Sequence, residues 1–180
     1  MSKVVTGKKT RLSYAHIFEP YSYNNQGEPD YSCCVLIPKQ DKKTVDAIKA
    51  AIEAAKENGK SSKWGGKIPA KIASPLHDGD EERPDDDAYA GHYFINAKGK
   101  GRKPKVFDTD RTEIFDTDEV YSGCYARVVL NFYPYSSSGN NGVSCILGDI
   151  MKTADGEPLG TDLGFGNVDF DDDDDEDFLD

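Results

Sequence analysis

Residues 120–133, VYSGCYARVVLNFY, constrain the fold more than any other stretch. Side chains in a strand alternate between two faces. One face reads Val120, Ser122, Cys124, Ala126, Val128, Leu130, Phe132, which suits a core. The other reads Tyr121, Gly123, Tyr125, Arg127, Val129, Asn131, Tyr133. Nucleobases stack on aromatic rings for about 1–3 kcal/mol each, and an arginine adds charge and a planar surface. The competing reading is a half-exposed strand that uses tyrosine for β-propensity and cross-strand packing.

The rest of the chain is mostly strand and turn. Further strands are predicted at 3–14, 31–38, 91–97, 103–107 and 143–152, separated by turn signals such as Asn24-Asn25-Gln26-Gly27. The last two strands, 120–133 and 143–152, read as a hairpin with a long polar tip at Ser138–Gly142. One helix is signalled at about 42–58, where Val45, Ile48, Ile52 and Ala55 recur at helical spacing. Asp41 is its expected cap and Asn58-Gly59 its expected stop. Many short strands and a single amphipathic helix predict a mainly β chain built on a small barrel and not a sandwich plus helical layer.

Charge is distributed unevenly. The 180 residues hold 33 acids and 22 bases, a net of −11, but nine of the acids lie in residues 169–180, DFDDDDDEDFLD. Seven more lie in Asp78–Asp87, where Arg83 is the single base, so the remaining body carries 21 bases against 17 acids. The chain therefore divides into a mildly basic body, an acidic loop and an acidic tail. A nucleic-acid partner is compatible with the body alone. From about Thr161 onward too little apolar surface is present to offset the ordering entropy, so a disordered tail is expected, with residues 1–155 as the domain and 156–180 as linker and tail.

Two basic runs flank the aromatic faces. Residues 92–98 alternate, with His92, Phe94, Asn96 and Lys98 opposite Tyr93, Ile95 and Ala97, and lead into Lys98-Gly99-Lys100-Gly101-Arg102-Lys103-Pro104-Lys105. At the other end, Lys9, Arg11 and Ser13 share a strand face opposite Thr10, Leu12 and Tyr14. Basic loops beside aromatic strands are what a single-stranded nucleic-acid groove requires. The predicted stacking residues are Phe94, Tyr121, Tyr125 and Tyr133. The predicted phosphate-neutralising residues are Lys9, Arg11, Lys98, Lys100, Arg102, Lys103, Lys105 and Arg127. Trp64, in Lys63-Trp64-Gly65-Gly66-Lys67, is expected to pack on the core before it would stack a base.

The tail carries more than charge. Phe170 opens it, Asp171, Asp172, Asp173, Asp174, Asp175, Glu176 and Asp177 follow, and Phe178 and Leu179 place an apolar pair near its end. Such a segment is expected to compete with nucleic-acid phosphates for the basic surface and, once expelled, to anchor a partner protein.

Other classes fit less well. No apolar run approaches the roughly 18 residues of a membrane span, and the first residues have no signal-peptide core. Cysteines 33, 34, 124 and 145 contain no CxxC pair, so neither a zinc ribbon nor a redox dithiol is expected, and a reduced cytoplasmic setting fits. Gly59-Lys60-Ser61 follows a helix where a phosphate loop would open one, and Asp78–Asp87 lacks the order of a calcium loop. Pro29-Asp30 with Asp41-Lys42-Lys43 mimics a metal-nuclease signature, though Asp41 reads as a cap. No metal, cofactor or catalytic constellation is predicted. The principal alternative is an acidic interaction module or DNA mimic that engages a basic protein.

Much of the chain resembles a bacteriophage-type family of OB-fold single-stranded-DNA-binding proteins, long known only as a domain of unknown function. The resemblance runs through FEPYSYNNQGEPDYSCCVLIPK (18–39), the helix, KWGGKIPA (63–70), PLHDGDEERPDDDAYAGHYFINAK (75–98), KPKVFD (103–108), EVYSGCYARVVLNFYPY (119–135) and GNNGVSCILGDIMK (139–152). It implies an OB barrel, binding with little sequence preference, and a role in phage DNA replication or recombination. The tail is similar to the acidic tails through which such proteins recruit replication enzymes, except that it adds Asp180 after the apolar pair.

Overall fold

In the computed structural model, which describes residues 2–22 and 27–159, an eight-stranded sheet curls into a closed ring plugged by one long helix. The strands are β1 (Ser2–Val5), β2 (Arg11–Tyr21), β3 (Asp30–Pro38), β4 (His77–Asp78), β5 (His92–Lys98), β6 (Val106–Phe107), β7 (Tyr125–Ser137) and β8 (Asn140–Ala154). The order β1-β7-β2-β3-β5-β8-β6 closes through the β7–β8 hairpin, and β4 pairs with β5. Mainly β, with a ring and one principal helix, the architecture is OB-like. The acidic tail, with the expected disorder from Thr161, lies outside the described residues.

Alternation explains the core. Inward residues of β7, namely Ala126, Val128, Leu130 and Phe132, are fully buried, and Leu12, Val35, Ile37, Ile95, Leu147 and Ile150 meet them from the other strands. Burying each such side chain contributes about 1.5–3 kcal/mol before the entropy of ordering is subtracted. Helix α1 (Lys42–Ser62) closes one end of the ring with Val45, Ile48, Ile52 and Ala55. Asp41 caps it as expected, accepting from the Thr44 N–H at 3.3 Å and the Thr44 hydroxyl at 2.6 Å.

Several boundaries differ from the sequence reading. The helix runs through Gly59 instead of stopping there, and the residue is glycine because a Cβ at this position would lie 2.6 Å from Pro134 Cβ and 2.8 Å from the Trp64 ring. Gly59 is thus a close-approach point for the hairpin, and Trp64 is held there by donating Nε1–H to the Tyr135 carbonyl at 3.2 Å. The predicted strand 3–14 is two strands, broken by a turn in which the Thr10 N–H reaches the Gly7 carbonyl at 3.2 Å. Strand β7 begins only at Tyr125, so Tyr121 and Gly123 belong to the preceding loop. The expected long hairpin tip is two residues, Ser138 and Gly139, with φ of 49° and 82°, the left-handed pair that a tight hairpin needs. The 103–107 strand shrinks to two residues.

Candidate nucleic-acid interface

The outer face of β2, β3 and β5 is where rings and cations gather. Ser32, Cys34 and Leu36 of β3 point outward, away from the Cys33, Val35 and Ile37 face, and with Phe94 and Tyr89 they floor a shallow depression. A cleft of about 390 Å³ opens above it, lined by Tyr14, Arg83, Tyr89, Asn96 and Lys98. Tyr14 is half exposed because β2 bulges there: its φ is +46° and the register with β3 slips between Ser13 and His16. That bulge buries Ser13 and turns Tyr14 outward, the reverse of the strict alternation expected.

The acidic loop borders this cleft. Asp78 caps the short helix α2 (Gly79–Glu82), and Lys39 clamps it through Asp78 at 2.7 Å and Asp80 at 2.8 Å. These pairings push the Lys39 ammonium well above its ordinary range and hold both carboxyls below theirs. The loop then delivers Arg83, whose guanidinium lies 5.5 Å from the Tyr89 ring and 5.7 Å from Phe94. The lone base among seven acids was the available signal, since such a cation needs a specific seat.

Phe94 is a correction. It is 3% exposed, edge-on to Tyr89 at 5.1 Å and stacked on His77 at 5.0 Å. The loop that carries Tyr89 covers the outward face of β5 at this point, so Phe94 supports the cleft floor and offers no free face to a base. The exposed ring in this region is Tyr14.

Continuing along the same face, the cleft joins a channel lined by Arg11, Arg83, Asp85–Ala88 and Glu157–Leu159, and a hollow beside Tyr14, His16, Tyr121 and Ser122. Arg11 lies over the Tyr125 ring at 5.6 Å and donates Nε–H to the Gly123 carbonyl at 2.9 Å. Residues 155–159 cross this surface as a strap. Arg11 donates to the Glu157 carbonyl at 2.6 Å, and the Leu159 N–H to the Ser122 carbonyl at 2.8 Å. Tyr121 donates its hydroxyl hydrogen to the Gly156 carbonyl at 2.9 Å and accepts the Gly156 N–H at 3.1 Å. Leu159 packs against the Cys34–Leu36–Tyr89–Phe94 cluster. The strap therefore occupies Arg11, Tyr121 and part of Tyr125 together.

The remaining predicted residues fall in two places. Lys100 lies 5.4 Å from the Tyr133 ring, on a tight turn with φ of +56° whose backbone N–H groups at 100 and 101 donate to the Asp30 carboxylate. Arg102 is paired with Asp149 at 2.9 Å, which offsets its charge, while among the described residues Lys103 and Lys105 are exposed without an ion pair. Lys98 reaches the cleft itself. Lys9 and Arg127 line a separate groove between β1 and α1. Tyr121, Tyr125 and Tyr133 are all half-buried at the surface, so none is sealed in the core.

Asp30 and Asp41, the acids of the nuclease-like pattern, hold backbone N–H groups of a turn and of the α1 cap respectively. Among the described residues no cluster of three or more His, Cys, Asp or Glu is placed to hold a metal ion, and no helix is long and apolar enough to cross a membrane.

Known proteins share this architecture. Residues 2–179 match the family model described as Enterobacter phage Enc34, ssDNA-binding protein. Protein p50 of Acyrthosiphon pisum secondary endosymbiont phage 1 is 33% identical over 157 residues, 82% of this chain and 81% of that protein. Among solved structures, the single-stranded DNA-binding protein from bacteriophage Enc34 in complex with ssDNA superposes with a TM-score of 0.76 at 27% identity, covering 88% of this chain and 90% of that one. The gp2.5 single-stranded DNA-binding protein of bacteriophage T7 shares the fold, with a TM-score of 0.63 at 16% identity over 94% and 96% of the two chains.

Proposed function

From the premise that the chain belongs to the ssDNA-binding family of phage Enc34, we propose that it is a non-catalytic single-stranded-DNA-binding protein with little sequence preference. It acts in phage DNA replication or recombination in the host cytoplasm. The observation that carries the reading is the outer track: the cleft that holds Tyr14, Arg83 and Lys98, together with Arg11 over the Tyr125 ring at the far end of a channel that shares Arg83 and is otherwise lined by Glu82, Asp85, Asp86, Asp87 and Glu157. Rings supply stacking that any base satisfies, and the cations neutralise phosphates, so affinity should fall with a log–log salt slope of about −0.7 per phosphate. Lys100 with Tyr133, Lys103, Lys105, Lys9 and Arg127 extend the same role at the margins.

The strap supports tail competition. It lies on the track, and the nine carboxylates of residues 169–180 begin ten positions after Leu159 in the sequence. Displaced by DNA, the tail would present Phe178 and Leu179 to a partner protein.

A gel shift of labelled poly-dT with and without duplex competitor, magnesium present, tests the reading. Retention of poly-dT against duplex, without cleavage, is the expected result. No shift even at low salt would favour the acidic module that engages a basic protein, and magnesium-dependent cleavage would favour a nuclease. Replacing Tyr125 and Arg127 together with Ala should weaken binding while leaving the fold intact. Wild-type affinity in that double variant would place the site elsewhere.

A further inference from the structure

A second groove, of about 1060 Å³, runs between β1 and the first half of α1. Lys3, Lys8, Lys9, Lys43 and Arg127 line it, all of them exposed. None of the five forms an ion pair among the described residues, although acids outnumber bases by 33 to 22 in the whole chain. The one carboxylate in the groove, Asp41, is committed to the cap of α1 through Thr44.

The cations are also held in place. The Gly7 N–H donates to the Thr44 hydroxyl oxygen at 3.0 Å, which docks the Lys8–Lys9 turn on the start of α1. A side chain at position 7 would run into the Asp41 carboxylate, so the glycine permits this approach. Arg127 donates Nε–H to the Thr6 carbonyl at 3.0 Å, and Thr153 donates its hydroxyl to the Lys8 carbonyl at 2.6 Å. Among the described residues the outer edge of β1 has no strand partner.

Continuity with the outer track identifies the polyanion. Both β2 and β1 pair with the same edge of β7, Arg11 opposite Tyr125 and Lys3 opposite Asn131, with the Lys8–Lys9 turn between them beside Arg127. At about 3.3 Å per residue the line from Arg11 to Lys3 is about 20 Å long. We infer that this groove is a second phosphate-binding segment for single-stranded nucleic acid, taking the strand as it leaves the outer track at Arg11. The inference rests on the single-strand reading above and adds Lys3, Lys8 and Lys43 to it.

The test compares the full chain with the Lys3→Ala/Lys8→Ala/Lys43→Ala variant on oligo-dT of two lengths, about 10 and about 30 nucleotides, the shorter within the span of one OB fold. With the long strand, the variant should lose about 2 units of log–log salt slope, three phosphates at about 0.7 each, while the short strand binds both proteins alike. In the wild type, a long oligonucleotide carrying photoreactive bases at its end should cross-link to peptides within 2–9 or 40–51, a readout independent of how the variant folds. Equal long-strand slopes with short-strand binding intact, and no such cross-links, would overturn the inference and leave the single-strand reading standing. Tighter long-strand binding by the variant would assign these lysines to the acids of 169–180 and overturn it also. Failure of the wild type to bind either strand would overturn both readings.

Discussion

Replacing Tyr121 by Phe should tighten DNA binding. The substitution keeps the ring, which remains available for stacking, and removes only the hydroxyl that joins Gly156 at 2.9 Å and 3.1 Å. Each hydrogen bond of this kind contributes about 0.5–1.5 kcal/mol net, and the site is half exposed, so the strap should lose about 1–2 kcal/mol of closure. A closed strap lowers apparent affinity by the fraction of molecules that are open. At 1.4 kcal/mol per factor of ten, the variant should bind about 5- to 30-fold more tightly. Fluorescence anisotropy of a labelled oligo-dT, titrated at several salt concentrations, measures both the gain and the slope. No charge changes, so the slope should stay at the wild-type value while the intercept moves. Unchanged or weaker affinity in a variant of wild-type melting temperature would refute the argument that the strap and DNA exclude one another.

Three further outcomes follow from the packing. Gly59→Ala should destabilise the domain, since overpacking against Pro134 and Trp64 costs about 1–3 kcal/mol and outweighs the gain of about 1 kcal/mol in helix propensity; an equal or higher melting temperature would contradict it, and Trp64 fluorescence reports the disturbance. The Lys39 clamp holds Asp78 and Asp80 below their ordinary pKa, so its contribution is complete above the ordinary carboxylate value near 4 and is lost as pH falls through the lower folded values. Amide exchange in residues 79–90 should therefore rise below about pH 4 in wild type but not in Lys39→Met, where the clamp is already gone; identical acid profiles would count against the clamp. The four cysteines are buried, and burial pushes the Cys34 thiol up to about 11. A thiol reagent at neutral pH should label none of them until the protein unfolds, and rapid native labelling would contradict the packing of that face.

The legible parts of the fold were those with regular spacing. The inward residues of β7, the α1 stripe and the Asp41 cap follow from periods and capping chemistry that local sequence determines. Gly59 was misread because a glycine after Asn58 signals a helix end locally, whereas its cause is a contact with Pro134, 75 residues away. At Tyr14 the alternation failed because a bulge reverses the faces, and nothing in the residues around it announces φ > 0 at a tyrosine. Phe94 obeys the alternation, yet the segment just before β5, which carries Tyr89, folds back over the strand's outer face, and alternation within the strand does not show that. The basic and aromatic residues at Arg11, Lys98, Tyr121 and Tyr125 were legible as a set, but the strap that holds three of them was not. It consists of ordinary residues, Asp155-Gly156-Glu157-Pro158-Leu159, whose role depends on where β8 ends.

The β7–β8 hairpin carries Tyr125 near one end and Tyr133 eight residues along, about 26 Å at the usual strand rise. Because both tyrosines ride on one strand paired with β8 on either side of its register shifts at Tyr125/Ala126 and Val128/Leu130, the interval between them is set by the extended backbone and its ladder and shortens only if that ladder breaks. On the single-strand reading proposed above, the ribbon would serve as a ruler: a polymer laid along both rings would be drawn out to its pitch, and a loop or stem that shortens it would have to come undone first.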